Sequence, residues 1–314
     1  MPITIQKSNQ LKVIAILMML GLHLFNRDYK GLFMPLVFIG EQPLTYYISL
    51  FCDACVPIFA FVSGYGLYYK YIQTKTEFRK GNYVRLKKLY INYWVVLVLF
   101  AVVLGLIMGK SGYPGSLGKF ILNFSGLEPS YNGAWWFFTT YVFFVLTANF
   151  WFRLLDKINP YVYLICLGGI YVISFYFRVH QNNIFENVFL NYLHKQSALY
   201  FCTLFQFMLG AFFLKYNWNK QFQSFLPQRI NFNVLGIFGI IALIIIHGFI
   251  PNFIIAPFTA LGFIFIFINL DIPAFINKCL DFFAKHATNL WLIHMFFYMI
   301  YFPEFIYKFK YPNS

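Results

Sequence analysis

The sequence predicts an all-α fold, a polytopic transmembrane helical bundle of about nine to ten spans, and three observations point to it. Hydrophobic residues make up 60% of the 314 and charged residues only 11%, whereas a soluble domain carries roughly 25% charged residues. The apolar residues gather into runs of the roughly 17–25 residues that cross a bilayer. The basic residues fall in the short segments between those runs, as the positive-inside rule expects.

The runs that are long enough lie at residues 10–26, 45–69, 89–108, 135–152, 161–177, 198–214, 232–250, 253–270 and 286–302. Pro251 and Asn252 make the tight turn between the seventh and eighth. A shorter apolar piece, 120–127, fits a re-entrant or interfacial helix. Arg27, Asp28 and Lys30 follow the first run in place of a small-residue cleavage site, so no removable signal peptide is expected. No internal repeat or soluble segment interrupts the chain, and one integral membrane domain over 1–314 is expected.

The net charge of +14 would suit nucleic acid if it formed a patch on a soluble surface. Its placement excludes that reading, and no nucleic-acid partner is expected. With the N-terminus in the cytoplasm, the inner segments hold Lys7, Lys12, the basic loop 70–88, and segments 153–157, 215–229 and 271–285. Together these carry nearly all of the net positive charge. The 43 Phe and 24 Tyr read mainly as a compositional bias shared with Ile, Asn and Lys. Cys52 and Cys55 have the spacing of a redox pair, but membrane flanks and the lack of a second such pair make them small apolar residues. No His, Asp or Glu cluster has metal-ligand spacing, so no metal is expected.

Ionisable residues inside a bilayer are costly and are functional candidates by default. Lys12, His23, Asp53 and His294 are the four. Lys12 and His23 are eleven residues apart, about 20° past three helical turns, so they share a face with roughly 16 Å of rise between them. Lys12 also fits a lysine snorkelling at a helix end. Asp53 lies roughly 12 Å of rise into the second span, a depth that could bring it to His23. There an acid would orient the imidazole and raise its basicity; a structural ion pair with any nearby base is the alternative. His294 suits either the site or helix–helix hydrogen bonding. His180, His194, His247 and His286 receive no role. Arg85 and Lys88 share a face where the third span begins, suited to a phosphate-bearing ligand or to simple anchoring.

Six segments resemble, in order, the membrane-bound acyltransferase-3 family. They are Leu11-Lys12 through Leu22-His23, a basic residue, ten residues and a histidine; the apolar-aromatic run Val56 to Phe61 closing on Val62-Ser63-Gly64-Tyr65; and Arg85-Leu86-Lys87-Lys88 leading into Tyr90, Tyr93 and Trp94. Ala134-Trp135-Trp136-Phe137-Phe138, Phe207-Met208-Leu209-Gly210 and Asn289-Leu290-Trp291-Leu292-Ile293-His294 complete the set. Lys12 and Lys88 stand where arginine is common. They keep the charge but lose the bidentate fork. The family's usual ten spans also exceed the nine read here.

The resemblance implies transfer of an acyl group, commonly acetyl, from cytoplasmic acyl-CoA to a sugar outside the membrane. His23 is then the general base and Asp53 its orienting acid. Lys12, Arg85 and Lys88 bind coenzyme A phosphates or line the donor path, and Ser63 and Tyr65 shape the channel or merely pack it. No cofactor is held permanently; acyl-CoA, most commonly acetyl-CoA, is a donor substrate. Expected partners are membrane lipid and a glycan or glycolipid acceptor, at the inner membrane. A transporter or flippase of a lipid-linked glycan is the alternative from another class, against which stands the lack of inverted-repeat symmetry.

Overall fold

A computed structural model describes residues 3–30, 32–225 and 231–306. Arg229, one of the cations expected on the inner side, lies outside them. The described residues are helical but for connecting loops and a short hairpin of two two-residue strands, β1 (Phe38–Ile39) and β2 (Gln42–Pro43). The helices are α1 (Ile5–Phe25), α2 (Leu44–Phe51), α3 (Cys55–Gln73), α4 (Phe78–Val96), α5 (Leu104–Ile107), α6 (Leu117–Ser125), α7 (Trp136–Lys157), α8 (Pro160–Val179), α9 (Val188–Lys215), α10 (Trp218–Phe225), α11 (Phe232–Phe249), α12 (Ala256–Asn269), α13 (Ala274–Ala284), α14 (Ala287–Met295) and α15 (Pro303–Ile306).

Seven helical stretches among the described residues are long and apolar enough to span a membrane. The other two expected spans are helical but shorter. One, Phe253–Asn269, comprises a 3-10 turn and α12; the other is α14 continued by a π-helical turn, Phe296–Tyr301. The apolar piece expected at 120–127 is α6, capped by Ser116 at one end and by left-handed Gly126 at the other.

The abundant asparagine has a local use. Asn132, Asn159, Asn187, Asn231 and Asn252 each accept a backbone N–H at the start of a helix or helical turn. These are the N–H groups that the first turn of a helix leaves without a ladder partner.

At the centre of the bundle α3 crosses α9, and 67% and 72% of their span windows are buried, against 11% for α11 at the periphery. Two glycines set the crossing. A Cβ on Gly64 would stand 1.7 Å from the Phe207 carbonyl oxygen, and one on Gly210 would stand 2.0 Å from that of Phe61. Small residues that let backbones touch are the usual means of joining helices in lipid. Two of the sequence motifs are thus the two halves of one contact.

A second contact joins α4 to α6. Tyr93 donates to the carbonyl of Asn123 (2.7 Å), Trp94 to that of Phe124 (2.8 Å) and Tyr90 to that of Ser125 (2.9 Å), while Thr139 donates to that of Gly126 (2.6 Å). Four successive carbonyls at the end of α6 are covered by side chains; that of Asn123 also accepts the Gly126 amide of its own cap, and the last turn of a helix leaves such carbonyls short of ladder partners. The i, i+3, i+4 spacing of Tyr90, Tyr93 and Trp94 presents them on one helix face.

α4 and α14 each pass into a π-helical segment, Leu97–Val103 and Phe296–Tyr301, and the two segments meet. The Tyr301 hydroxyl donates to the Phe100 carbonyl at 2.6 Å, and the Phe100 and Phe296 rings stack with centroids 5.2 Å apart. A π segment loosens the regular ladder, and Tyr301 satisfies a carbonyl there.

The helix ends sort into two sets. On the side of the N-terminus, Lys7 at the start of α1 donates to the Phe267 and Leu270 carbonyls at the end of α12. There too Asp156, near the end of α7, pairs with Lys215 at 2.9 Å and accepts from Tyr68 and Tyr71 of α3. Opposite, Tyr171 in the second half of α8 donates to the carbonyl of Ile254 just before α12.

Candidate active site

The second span breaks where its acid sits. Residues Cys52–Ala54 form a 3-10 turn between α2 and α3. Pro57 lacks the N–H that would bond the Asp53 carbonyl four residues back, and its ring crowds that carbonyl. The break sets the Asp53 side chain on a cavity of about 230 Å³ that His23 also lines. The cavity wall on α1 is Ala15, Met19, Leu22 and His23, a stripe at helical spacing. Lys12 lies three residues before Ala15 and continues that stripe.

The His23 ring is half-buried and stacks on two rings of the last helix. Its centroid is 5.8 Å from that of His294 and 6.0 Å from that of Tyr298. His294 is buried, and its Nδ1–H donates to the Trp291 carbonyl at 2.7 Å. That bond fixes the ring and leaves Nε2 buried without a hydrogen-bond partner. The closing-helix segment is itself held by the Ala134–Phe138 segment. Asn132 and the Trp135 indole both donate to the Leu292 carbonyl, at 3.0 and 2.9 Å.

The structure places Asp53 within electrostatic reach of His23 but forms no hydrogen bond between them. The base nearest Asp53 is His247, whose Nε2 is 3.6 Å from Oδ2. His247 is fully buried, near the end of α11, and its ring meets Phe51 edge-on. The sequence assigned it nothing. A lone histidine in the run Gly239 to Phe249 was the available signal, but its partner lies far away in sequence. Arg178, the residue just beyond the fifth apolar run, was missed as well. It lines the same cavity, between the rings of Trp136 and Phe253.

The other expected residues cluster at the opposite end of α1. Lys12 is within electrostatic reach of Arg85. Each cation has a neutral amide partner, Asn9 for Lys12 at 3.3 Å and Asn82 for Arg85 at 3.0 Å. Asn82 is in turn fixed to the Val145 carbonyl of α7. Lys88 is exposed and does not join the pair. Ser63 donates to the Phe59 carbonyl one turn back on its own helix, at 2.7 Å. The buried Tyr65 hydroxyl accepts the Ile3 amide at 2.8 Å, tying the N-terminus to α3. Among the described residues no three His, Cys, Asp or Glu side chains gather as a metal site would require. The five cysteines are free; Cys52, Cys55 and Cys202 are buried, and Cys166 and Cys279 face outward.

Residues 5–309 match the family model described as an acyltransferase domain, nearly the whole chain. The chain belongs to the acyltransferase-3 family. No curated protein and no solved structure matches it. As an acyltransferase with several membrane-crossing helices, it is a multi-pass membrane enzyme. In this acyltransferase the resembling segments meet in pairs: Ser-Gly-Tyr with Met-Leu-Gly at the α3–α9 crossing, and the Trp-Trp-Phe segment with the closing helix. The basic-x10-His helix borders the cavity.

Proposed function

We propose that this acyltransferase moves an acetyl group from cytoplasmic acetyl-CoA to a hydroxyl of a cell-surface polysaccharide or glycolipid, in the inner membrane and with its N-terminus in the cytoplasm. One observation carries the reading. The cavity follows α1 from His23 down to Ala15, and the same helical stripe continues to Lys12, which is within electrostatic reach of Arg85.

Two cations whose side-chain hydrogen bonds among the described residues go to amides suit an anion between them, and the phosphates of coenzyme A supply one. From there a thioester arm follows the stripe toward His23. The acceptor hydroxyl oxygen attacks the thioester carbonyl carbon while its proton passes to His23. The carbon–sulfur bond then breaks, and the coenzyme leaves as a thiol on taking up a proton. Stacking on His294 and Tyr298 holds the His23 ring plane, and Asp53 stands within electrostatic reach of it. The charge distribution of the loops supports the orientation.

The test is proteoliposomes given radiolabelled acetyl-CoA on one side and a glycan acceptor on the other, comparing wild type with His23→Ala. Loss of a general base slows a reaction by about 10²–10⁴-fold, and melting in detergent should stay near that of wild type. Wild-type turnover in His23→Ala would refute the catalytic role. Absence of transfer by the wild type to any glycan would refute the acceptor class.

A further inference from the structure

Arg178 is the cavity's permanent cation, and its surroundings differ from those of the other cations at helix ends. Lys7 and Lys215 bond backbone carbonyls, and Lys215 also meets a carboxylate. Such contacts are what anchoring requires. Arg178, one residue before the end of α8, instead has its guanidinium carbon 4.9 Å from the centroid of Trp136 and 4.9 Å from that of Phe253. Trp136 opens α7 and Phe253 opens the turn before α12, so three elements fix the plane of the group.

Its hydrogen bond among the described residues runs from Nη1 to the Cys202 sulfur, at 3.9 Å. A thiol is a weak acceptor, and a guanidinium has five donors in a rigid fork. Among the described residues no carboxylate lies within ion-pair distance of it. The cavity's own acid, Asp53, has His247 3.6 Å away. A planar cation thus sits on the wall of an apolar cavity with its edges largely unfilled and, among the described residues, no ion-pair partner. Leaving a cation so is costly unless something pairs with it. The group whose geometry matches the fork is a two-oxygen anion.

We propose that Arg178 forms an acceptor subsite for an oxyanionic substituent, a carboxylate or a phosphate ester borne by the sugar that is acylated. This rests on the reading that the acceptor enters at the His23 end. At about 230 Å³ the cavity is smaller than the roughly 300 Å³ at which sites for drug-sized ligands begin, so it takes one sugar unit of a longer acceptor. Arg178 and His23 border the same space. A sugar anchored by its acidic group therefore presents a hydroxyl of fixed position to the imidazole. Arg178 is thus a specificity-determining residue, separate from the donor cations Lys12 and Arg85 at the other end of α1.

The experiment is equilibrium binding of radiolabelled methyl glucuronoside, glucose 6-phosphate and methyl glucoside to the purified full chain in detergent. At least one anionic probe should bind tenfold or more tightly than the glucoside, and which one does identifies carboxylate or phosphate as the source. Inorganic sulfate should compete with it. Arg178→Gln, with unchanged melting, should bind the three probes alike, and Arg178→Lys should keep part of the preference. Equal binding of the probes by the wild type, or binding of none, overturns the proposal. So does an anionic preference that survives in Arg178→Gln. A loss of kcat in Arg178→Gln that is equal for all acceptors, with the binding preference intact, would assign the residue to the reacting carbonyl and also overturn it. Binding is read without acyl transfer, so a failure of the transfer assay is a separate result.

Discussion

Replacing Gly64 with alanine should separate the two central helices. The added Cβ would stand 1.7 Å from the Phe207 carbonyl oxygen, whereas real Cβ contacts are essentially never under 3.0 Å, so about 1.3 Å of separation is needed. The opposing atom is backbone in a buried helix and no rotamer can relieve the overlap. A gap of that order forfeits more than about a quarter to a half of each dispersion contact along the crossing. Overpacking costs typically about 1–3 kcal/mol, and a backbone clash belongs at or above the upper end. At about 2 °C per kcal/mol for a chain of this size, Gly64→Ala should melt roughly 6 °C lower. Melting of the detergent-solubilised protein, followed by size-exclusion chromatography after heating, measures this. Gly66→Ala is the control, because nothing lies within 4 Å of its Cβ and alanine is the better helix former. Equal melting of Gly64→Ala and Gly66→Ala would refute the close-approach account.

Three other outcomes follow from contacts elsewhere. Tyr93→Phe should remove the hydroxyl's bond to the Asn123 carbonyl, which keeps the Gly126 amide as a partner, costing about 0.5–1.5 kcal/mol in a melt, while Ile91→Val on the outward face of the same helix should melt as wild type. Asp53→Asn should lower kcat about tenfold or more, the factor given by roughly 1.4 kcal/mol of barrier, with the donor KM little changed; an unchanged kcat would leave Asp53 as the partner of His247 alone. Arg85→Gln should raise the acyl-CoA KM several-fold and Lys88→Gln should not, since Arg85 is within electrostatic reach of Lys12 and Lys88 is exposed; initial rates across donor concentration would show an equal effect if both were mere anchors.

What the sequence made legible was whatever a single helix carries. Lys12 and His23 lie on one continuous helix, so their shared face and separation followed from helical geometry alone, and α1 is unbroken. The apolar runs marked the helices for a similar reason, since lipid forces each segment to satisfy its own backbone. Length was harder to read. The stretches at 253–269 and 287–301 are apolar throughout, but one is shortened by its opening turn and the other ends in a π segment. Pairings between helices were the least legible. Asp53 was placed at the right depth for His23, yet its ion pair is with His247 from the seventh span, and no local spacing records a contact between distant helices. Arg178 resembled any basic residue at a span's end, and only the rings of Trp136 and Phe253, on two other helices, distinguish it.

The same division explains how the enzyme's two ends can differ in charge chemistry while sharing one path. Lys12 and Arg85 lie within electrostatic reach of each other and each bonds a neutral amide, so on the proposed reading their combined charge is available to a multivalent anion. At the other end the cations and acid are each constrained: Asp53 by His247, Arg178 by two rings, His23 by the stack with His294 and Tyr298. A group fixed before the substrate arrives loses little freedom on binding, and reactions whose partners are pre-positioned gain most from that economy. On the proposed reading, a donor that releases its coenzyme after each turnover would need the opposite, a cation pair that attracts without enclosing. Lys12 and His23 stand on one helix with a continuous stripe between them, so on that reading the acyl carrier would bind by charge at one end and react by geometry at the other.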